Sequence, residues 1–465
     1  MYRKLWQPVL LLLMAVSIPY MSMAEAAHFI NVENTGLSEA VFHRIEGQIE
    51  SDIAKGFPSA QLVVRKNGKL VYRNAWGRVN SYGQDGTRLT NMPPVTDETL
   101  YDLASNTKMY SVNYALQYLV THEGLDLDTK ITDILGQEFA ADVKFIAYEK
   151  GTTVPLLTQR RWKASLTLRD LLMHQGGFPP GPAYYRDIYD QTTQEWQTDV
   201  PNVLYAGAAS DEGTRKRTWQ RICETPLMYE PGTKTMYSDV DYVVLGLVVE
   251  KLTGKSLQAY LKETFWQPLG LTHITYLPLK NGFTQADCAA TELNGNTRDG
   301  VSHFPGIREY TLQGEVHDEM ARYSMGGISG HAGLFANAED LAKLAELMLT
   351  GKHDGKVYFS PEVMGEFTAD HGTGYGLGWW VQGDREWDSY FGAFAPATTF
   401  GHQGWTGTLT VIDPENAMVI VLLTNKINTP IDAPQKDANN FIGGHYTTGK
   451  LGFVTKWIYE DMRRN

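Results

Sequence analysis

The stretch that decides the fold reads Asp102-Leu-Ala-Ser105-Asn106-Thr107-Lys108, and it holds the only Ser-x-x-Lys pattern in the sequence. Apolar residues continue at helical spacing over residues 109–119. We therefore expect Ser105 at a helix N-terminus and Lys108 one turn later on the same face. A partly desolvated lysine can take the proton of a serine, which is a poor nucleophile without such help. The helix N-terminus also offers backbone N–H groups to an oxyanion. The alternative is a capping serine followed by a solvated lysine.

A second candidate element is Tyr237-Ser-Asp239, which lies directly before a predicted helix that begins near Tyr242. A loop in this position can present Tyr237 and Asp239 to one cleft, where Tyr237 would carry a proton between nucleophile and leaving group. The alternative is a tyrosine that packs against the core and an aspartate that caps the following helix.

A third candidate element is the run 400–407, Phe-Gly-His-Gln-Gly-Trp-Thr-Gly, which opens a predicted strand. Glycines such as Gly404 let a backbone or a ligand approach closely. His402 could donate to a carboxylate or polarise a substrate, although a lone histidine beside glycines is more often structural.

Strand patterns stand at both ends of the chain, with helical patterns between them. Residues 59–76 read as a hairpin around Asn67-Gly68, a favoured two-residue turn. Residues 101 to about 310 are mainly helical, and strand character returns at 375–381, 407–412 and 418–423. This order predicts an α+β fold. One antiparallel sheet would be built from N- and C-terminal segments, flanked by helices, with the helical lobe inserted between them.

The three elements together resemble the serine beta-lactamase and DD-peptidase family, in particular its class C beta-lactamase-like branch. That branch carries Ser-x-x-Lys at a helix start, Tyr-x-Asn on a loop, and Lys or His-x-Gly on a strand. The matching residues here are Ser105-Asn-Thr-Lys108, Tyr237-Ser-Asp239 and His402-Gln-Gly404. Supporting stretches at 167–177, 268–271, 330–335 and 375–379 are similar to the branch as well, so the resemblance runs from about residue 40 to 460.

The resemblance implies a beta-lactamase/transpeptidase-like fold over residues 28–465 and a role for each site residue. Ser105 would be the acylated nucleophile, Lys108 its base and Tyr237 the proton shuttle. His402 and Gly404 would align the substrate, and the N–H groups of Ser105 and Trp405 would form the oxyanion hole. The implied activity is that of a D-alanyl-D-alanine carboxypeptidase on peptidoglycan stem peptides that also binds beta-lactams. It needs neither metal nor cofactor.

Two departures from the family pattern bear on the chemistry. The first is Asp239, which stands where asparagine is usual. An ionised carboxylate only accepts hydrogen bonds, whereas an amide can also donate. Beside Lys108 the carboxylate favours the ammonium form of the lysine, which weakens Lys108 as a base. His402 stands where many carboxypeptidases carry lysine. A histidine is mostly neutral at neutral pH, so recognition of a C-terminal carboxylate should be weaker or require an arginine from elsewhere.

Composition excludes several other classes of protein. The chain has 465 residues and a formal net charge of −12, which argues against a nucleic-acid binder because phosphate binding needs clustered Lys and Arg. No metal-binding spacing occurs, and His317-Asp318 and Gly330-His331 are read as packing rather than as a metal site. Cys223 and Cys288 could form one disulfide, which the sequence does not decide. The pair Trp379-Trp380 is assigned to the core and the sheet edge.

The N-terminus predicts export. Arg3 and Lys4 precede an apolar run, and Ser22-Met-Ala24 fits a small-x-small cleavage site, so residues 1–24 read as a signal peptide. The alternative is an uncleaved anchor in the inner membrane, which Gln7, Pro8 and Pro19 disfavour. Either reading places the body of the protein in the periplasm.

Three functions remain open from the sequence. The first is the carboxypeptidase. The second is a carboxylesterase or weak beta-lactamase on the same scaffold; an alpha/beta-hydrolase is disfavoured because no Gly-x-Ser-x-Gly elbow occurs. The third is a penicillin-binding protein whose acyl-enzyme turns over little, a reading that Asp239 keeps open.

Overall fold

A computed structural model describes residues 28–148 and 153–464. Its main sheet has seven antiparallel strands in the order β1-β3-β2-β12-β11-β10-β9, so N-terminal strands pair directly with C-terminal ones. Two smaller sheets have the orders β4-β6-β5 and β7-β8. The strands are β1 (Phe29–Ile30), β2 (Ser59–Lys66), β3 (Lys69–Gly77), β4 (Tyr101–Asp102), β5 (Ile274–Tyr276), β6 (Leu334–Ala336), β7 (Lys352–His353), β8 (Lys356–Val357), β9 (Trp380–Val381), β10 (Phe400–Gly404), β11 (Thr408–Asp413) and β12 (Met418–Thr424).

The helices lie on both faces of the main sheet and in the long segment between β3 and β9. They are α1 (Glu39–Lys55), α2 (Asn106–Lys108), α3 (Tyr114–Glu123), α4 (Ile131–Leu135), α5 (Glu138–Ala141), α6 (Leu156–Ser165), α7 (Leu168–Leu172), α8 (Glu212–Glu224), α9 (Asp239–Thr253), α10 (Leu257–Leu261), α11 (Ala338–Ala345), α12 (Leu347–Thr350), α13 (Pro361–Thr368), α14 (Asp388–Phe391) and α15 (Phe453–Met462). The predicted α+β arrangement is confirmed.

The main sheet is buried on both faces, which explains why its central strand β12 is apolar except for Thr424. Along β12, Val419 and Val421 join the core that includes α3, α9 and α11. Their neighbours Ile420 and Leu422 join a second core under α1 and α15. Successive side chains of a strand point to opposite faces, so one strand serves both layers.

The hairpin forms at the expected turn. Asn67 and Gly68 both have positive φ angles, 54° and 74°, as a two-residue turn of the mirror-image type requires. A strand over 375–381 was expected, but only Trp380 and Val381 pair in the sheet. The reason is Gly378: a Cβ there would lie 2.0 Å from Tyr242 Oη, so this segment packs against α9 instead of extending the strand.

The helix after Ser105 also differs from a regular α-helix. Residues Met109–Asn113 form a π-helical turn between α2 and α3. Such turns insert one extra residue and are frequent near functional sites.

No helix within residues 28–148 and 153–464 combines the length and the apolar character that crossing a bilayer would need. The predicted signal at 1–24 lies outside the described residues. Cys223 and Cys288 are both buried and unbonded, so the disulfide considered from the sequence does not form.

Candidate active site

Ser105 lies at the start of α2, on the wall of a cavity of about 410 Å³. The turn before it is held by Asp102, whose carboxylate accepts hydrogen bonds from the N–H groups of Ala104 (2.9 Å) and His317 (2.7 Å). Ala104 has a positive φ of 45°, a conformation that costs free energy for a residue with a Cβ. The neighbouring contacts therefore force the backbone into the turn that exposes the Ser105 hydroxyl.

Lys108 is completely buried behind Ser105, as its i+3 position predicts. Its Nζ donates to Ser105 Oγ (3.1 Å), Asp239 Oδ1 (2.7 Å) and the His331 carbonyl (3.3 Å). Three acceptors match the three protons of an ammonium group. Burial by itself would lower the pKa of Lys108, but the Asp239 carboxylate and Tyr237 outweigh it, so its pKa is raised above the ordinary value. In the resting site Lys108 is therefore charged.

Tyr237 and Asp239 come from the loop that leads into α9. The Lys108 ammonium lies 4.7 Å from the centre of the Tyr237 ring. Burial raises the pKa of Tyr237, and the nearby Lys108 only partly opposes it, so the phenol is neutral. The capping interpretation of Asp239 was wrong: the side chain of Ser238 caps α9 by accepting from Val240 N. Asp239 is instead free to reach Lys108 from the cavity wall.

His402 lies on β10 beneath the cavity wall rather than in it. Its ring is 1% exposed and packs 6.2 Å from Tyr237 and 4.8 Å from Trp380, measured between ring centres. Nδ1 donates to the Gln403 carbonyl (2.7 Å), and Nε2 has no partner among the described residues. Burial, with Lys108 nearby, lowers the pKa of His402 to about 3, so the ring is neutral. Gln403 and Trp405, not His402, face the cavity.

Gly404 explains how β10 approaches the turn that carries Ser105. A Cβ at this position would lie 2.2 Å from the Leu103 carbonyl, two residues before Ser105. Thr408 on the neighbouring strand donates to the same carbonyl (3.0 Å), which fixes β10 and β11 against the Ser105 turn. Trp405 follows directly, and its side chain is 42% exposed at the cavity.

The N–H groups of Ser105 and Trp405 donate no hydrogen bond to any residue that the structure describes. Both residues line the cavity. Two unused donors in this position can stabilise an oxyanion, which is the role that the family resemblance implies for them.

Sequence reasoning did not assign Asp318 and His331 to the cavity, yet Asp318 lines it and His331 lies buried behind Asp318, next to Lys108. His331 Nε2 bonds to Asp318 Oδ1 (2.8 Å), and Lys108 reaches the His331 carbonyl. The sequence signal was limited to the two short motifs His317-Asp318 and Gly330-His331, whose spacing does not indicate that Asp318 and His331 pair. Ligand atoms of Asp239, Asp318 and His331 lie within 4.8 Å of one another, a separation that could hold a metal ion. Lys108 already supplies a positive charge to this cluster, which disfavours a second cation there.

Arg298 is the one lysine or arginine among the described residues that line the cavity. Its guanidinium is paired with the buried Glu292 and with Glu319 Oε1 at 2.8 Å. Glu292 also accepts a hydrogen bond from His317 Nε2 (2.8 Å). His317 is therefore part of the Arg298–Glu292 network and does not pair with its neighbour Asp318. With Asp239, Asp318 and Glu319 on the wall, the cavity carries more negative than positive groups.

Comparison with known proteins places the chain in a family. The beta-lactamase family model matches residues 42–443, so the chain belongs to this family. Curated relatives named "Putative D-alanyl-D-alanine carboxypeptidase" occur in Escherichia coli K12 and Salmonella agona. They are 42% identical over 438 residues and 40% identical over 435 residues, and each alignment covers 93% of both chains.

Solved structures share the fold at low identity. EstCE1, a hydrolase with promiscuous acyltransferase activity, superposes with a TM-score of 0.61 at 20% identity, covering 91% of this chain and 98% of its own. A penicillin-binding protein homologue from Caulobacter crescentus gives 0.59 at 20% identity, covering 92% and 99%. These likenesses support the architecture and leave the substrate to be argued from the site.

Proposed function

We propose that this protein is a serine D-alanyl-D-alanine carboxypeptidase that hydrolyses peptidoglycan stem peptides and is acylated by beta-lactams. The observation that carries the proposal is the hydrogen bond of 3.1 Å between Lys108 Nζ and Ser105 Oγ at an open cavity. The names of the relatives, at about 40% identity over nearly the whole chain, point to the same activity.

In the proposed reaction, Ser105 Oγ attacks the carbonyl carbon of the penultimate D-alanine, and the oxyanion receives hydrogen bonds from the N–H groups of Ser105 and Trp405. Neutral Lys108 takes the Ser105 proton during the attack, and Tyr237 passes it on from Lys108 to the D-alanine amine as the C–N bond breaks. Water then hydrolyses the acyl-enzyme and restores the Ser105 hydroxyl. Each step uses groups of the chain and needs neither metal nor cofactor.

The charged Lys108 has to lose a proton before it can act as a base. Asp239 Oδ1, 2.7 Å away, is the acceptor in place. When substrate displaces water from the cavity, transfer of that proton produces neutral Lys108 and a protonated Asp239 at no change in net charge. The protonated carboxyl can then donate to a substrate carbonyl, as the asparagine usual in this family does.

The charge of the cavity favours a second candidate, a carboxylesterase or amidase that acts on substrates without a free carboxylate. His402 is neutral and buried, and Arg298 is already paired, so no unpaired cation of the described residues faces a C-terminal carboxylate. Of the three carboxylates on the wall, Asp239 pairs with Lys108 and Glu319 with Arg298, which leaves Asp318 to repel one.

The test is labelling with a fluorescent penicillin together with D-alanine release from a peptide ending in D-Ala-D-Ala. Ser105→Ala should lose both signals. Ser111→Ala is the matched control, because Ser111 lies on the same helix but donates to the Thr107 carbonyl and does not line the cavity. If penicillin does not label the wild type, the protein is neither the proposed carboxypeptidase nor a penicillin-binding protein with little turnover. A stable label without D-alanine release would identify a binding protein with little turnover.

A matched pair of peptides separates the two enzyme candidates. The peptide ending in a free carboxylate is compared with the same peptide ending in an amide, and cleavage of the same bond is followed. Faster cleavage of the free acid supports the carboxypeptidase, and faster cleavage of the amide supports the second candidate.

We also propose that the protein acts in the periplasm, exported by residues 1–24 and either released or retained at the inner membrane. The composition of that segment supports this proposal. Fractionation of cells that express the full chain, with and without residues 1–24, tests it. Loss of the periplasmic pool on deletion is expected.

A further inference from the structure

A buried histidine–aspartate pair lies directly behind Tyr237, outside the chemistry described so far. His174 follows α7, and Asp241 is the third residue of α9. Both side chains are completely buried, and His174 Nδ1 lies 3.1 Å from Asp241 Oδ2. Two further polar atoms of the pair, His174 Nε2 and Asp241 Oδ1, have no hydrogen-bond partner among the described residues.

His174 contacts the Tyr237 loop in three ways. Its ring packs against the Tyr237 ring with 4.4 Å between centres. Its carbonyl accepts from Met236 N (2.9 Å), and its Nδ1 accepts from Ser238 N (3.3 Å). One residue therefore holds Tyr237 and both of its chain neighbours. His174 itself adopts a positive φ of 55°, a conformation that these contacts maintain.

The contacts of His174 Nδ1 point to one arrangement of protons in the pair. The Ser238 N–H points at His174 Nδ1, so Nδ1 carries a lone pair and no hydrogen. Asp241 Oδ2 approaches the same nitrogen at 3.1 Å, and an ionised carboxylate there would set lone pair against lone pair. The contact is attractive only if Asp241 is protonated and donates its O–H to Nδ1. His174 then carries its single proton on Nε2.

The surroundings agree with this assignment. Burial raises the pKa of the Asp241 carboxyl well above its usual range, and the Asp239 carboxylate adds to the effect. Burial, then the Lys108 ammonium and His402, hold the pKa of His174 well below its ordinary value. A buried carboxylate with one unpaired oxygen would be very costly, whereas a neutral acid is much less so.

We propose that His174 is a positioning residue for Tyr237, held in place by Asp241 acting as a permanently protonated hydrogen-bond donor. A neutral pair locks the Tyr237 loop without placing a second cation beside Lys108 or an anion behind the phenol. The catalytic part of this inference rests on the proposed role of Tyr237, but the protonation pattern does not.

The first test measures the protonation pattern in the full chain by ¹⁵N NMR of labelled histidine. His174 is assigned by the signal that disappears in His174→Phe. We expect the chemical shifts of an Nε2–H tautomer that stay constant from pH 5 to pH 9. A protonated Nδ1, or a titration of His174 within this range, would overturn the proposal whether or not the protein cleaves D-alanyl peptides.

The second test compares two substitutions of Asp241 by their rate of acylation with penicillin. Asp241→Asn keeps a donor to Nδ1 and should retain the wild-type rate and pH profile within about twofold. Asp241→Leu has a similar size but no donor, and should acylate about tenfold more slowly, the effect of losing roughly one hydrogen bond. An Asn variant as slow as the Leu variant would contradict the protonated state.

Asp340→Asn is the matched control. Asp340 is also buried, but its Oδ2 only accepts, from Thr272 N and His273 N, both at 2.7 Å. Its replacement by asparagine should lower the melting temperature and leave acylation unchanged, whereas Asp241→Asn should leave both unchanged. Equal loss of stability in the two variants would show that Asp241 is an ordinary buried carboxylate.

Discussion

Asp239→Asn is the change that most directly tests how Lys108 becomes a base. The two charged groups are 2.7 Å apart, Lys108 is fully buried and the Asp239 side chain is 27% exposed. Opposite charges about 4 Å apart attract by about 4 kcal/mol at an effective dielectric constant of about 20. Because Asp239 is partly solvated and asparagine can still accept a hydrogen bond, we expect the substitution to remove about 3 kcal/mol, or about two pKa units of Lys108.

This shift should speed acylation. About two pKa units give about a hundredfold more neutral Lys108 at a fixed pH below its pKa. A less basic lysine also abstracts the proton less readily, so we expect a net gain of about tenfold at pH 7. The sign of the pH dependence follows: the wild type moves the Lys108 proton internally to Asp239, so its acylation should change little with pH. Asp239→Asn lacks this acceptor, so its acylation should rise with pH as Lys108 deprotonates.

Stopped-flow measurement of penicillin acylation from pH 5 to pH 10 provides the assay. Asp128→Asn is a suitable control, because Asp128 pairs with Arg169 at an exposed site and its side chain is 64% exposed. Equal acylation rates and equal pH profiles for the wild type and Asp239→Asn would refute the idea that Asp239 restrains the base. A slower Asp239→Asn would refute it as well, because it would show that transfer of the Lys108 proton to Asp239 is indispensable and not merely the route open to the wild type.

Two further predictions follow from the packing. Gly404→Ala should abolish acylation by penicillin, because its Cβ would collide with the Leu103 carbonyl. Gly444→Ala is the control: its Cβ would meet nothing within 4 Å, so acylation should stay unchanged. A fully active Gly404→Ala would contradict the close approach of β10. Lys163 is buried, donates to the carbonyls of Ile222, Cys223 and Thr225, and has its pKa lowered by burial to about 7. Its folded-state pKa lies below the unfolded one, so the cost of burying the ammonium is present below pH 7 and is relieved as pH rises. The free energy of unfolding in urea is measured for the wild type and for Lys163→Met. Between pH 7 and pH 9 we expect the value of the wild type to increase by about 2 kcal/mol relative to that of the variant. A difference that does not change with pH would show that Lys163 stays charged.

Local geometry explains why the sequence alone predicted that Ser105 and Lys108 lie together. A residue and its i+3 neighbour share one face of any helix, so Ser105 and Lys108 had to meet once a helix formed there. The π-turn at Met109–Asn113 comes after Lys108 and leaves this relation intact. The Asn67-Gly68 hairpin was predictable for the same reason, since its backbone angles depend on two residues and not on distant ones.

Only the tertiary structure decided which groups control those residues. Asp318 and His331 are 13 positions apart in the chain, with no spacing that signals a pair, and the fold brings them together beside Lys108. The expected strand over 375–381 is confined to Trp380 and Val381 because Gly378 packs against Tyr242 of a distant helix.

The charge states of the site residues also depend partly on the sequence and partly on the tertiary structure. The sequence showed that Asp239 would favour the ammonium form of Lys108, because a carboxylate beside an amine acts so in any fold. Burial, by contrast, is a property of the assembled core. It makes His402 neutral, removes it from the cavity wall, and leaves Asp241 and His174 as an uncharged pair behind Tyr237. The residue types that carry the chemistry are thus written in the sequence, while desolvation by distant segments sets their protonation.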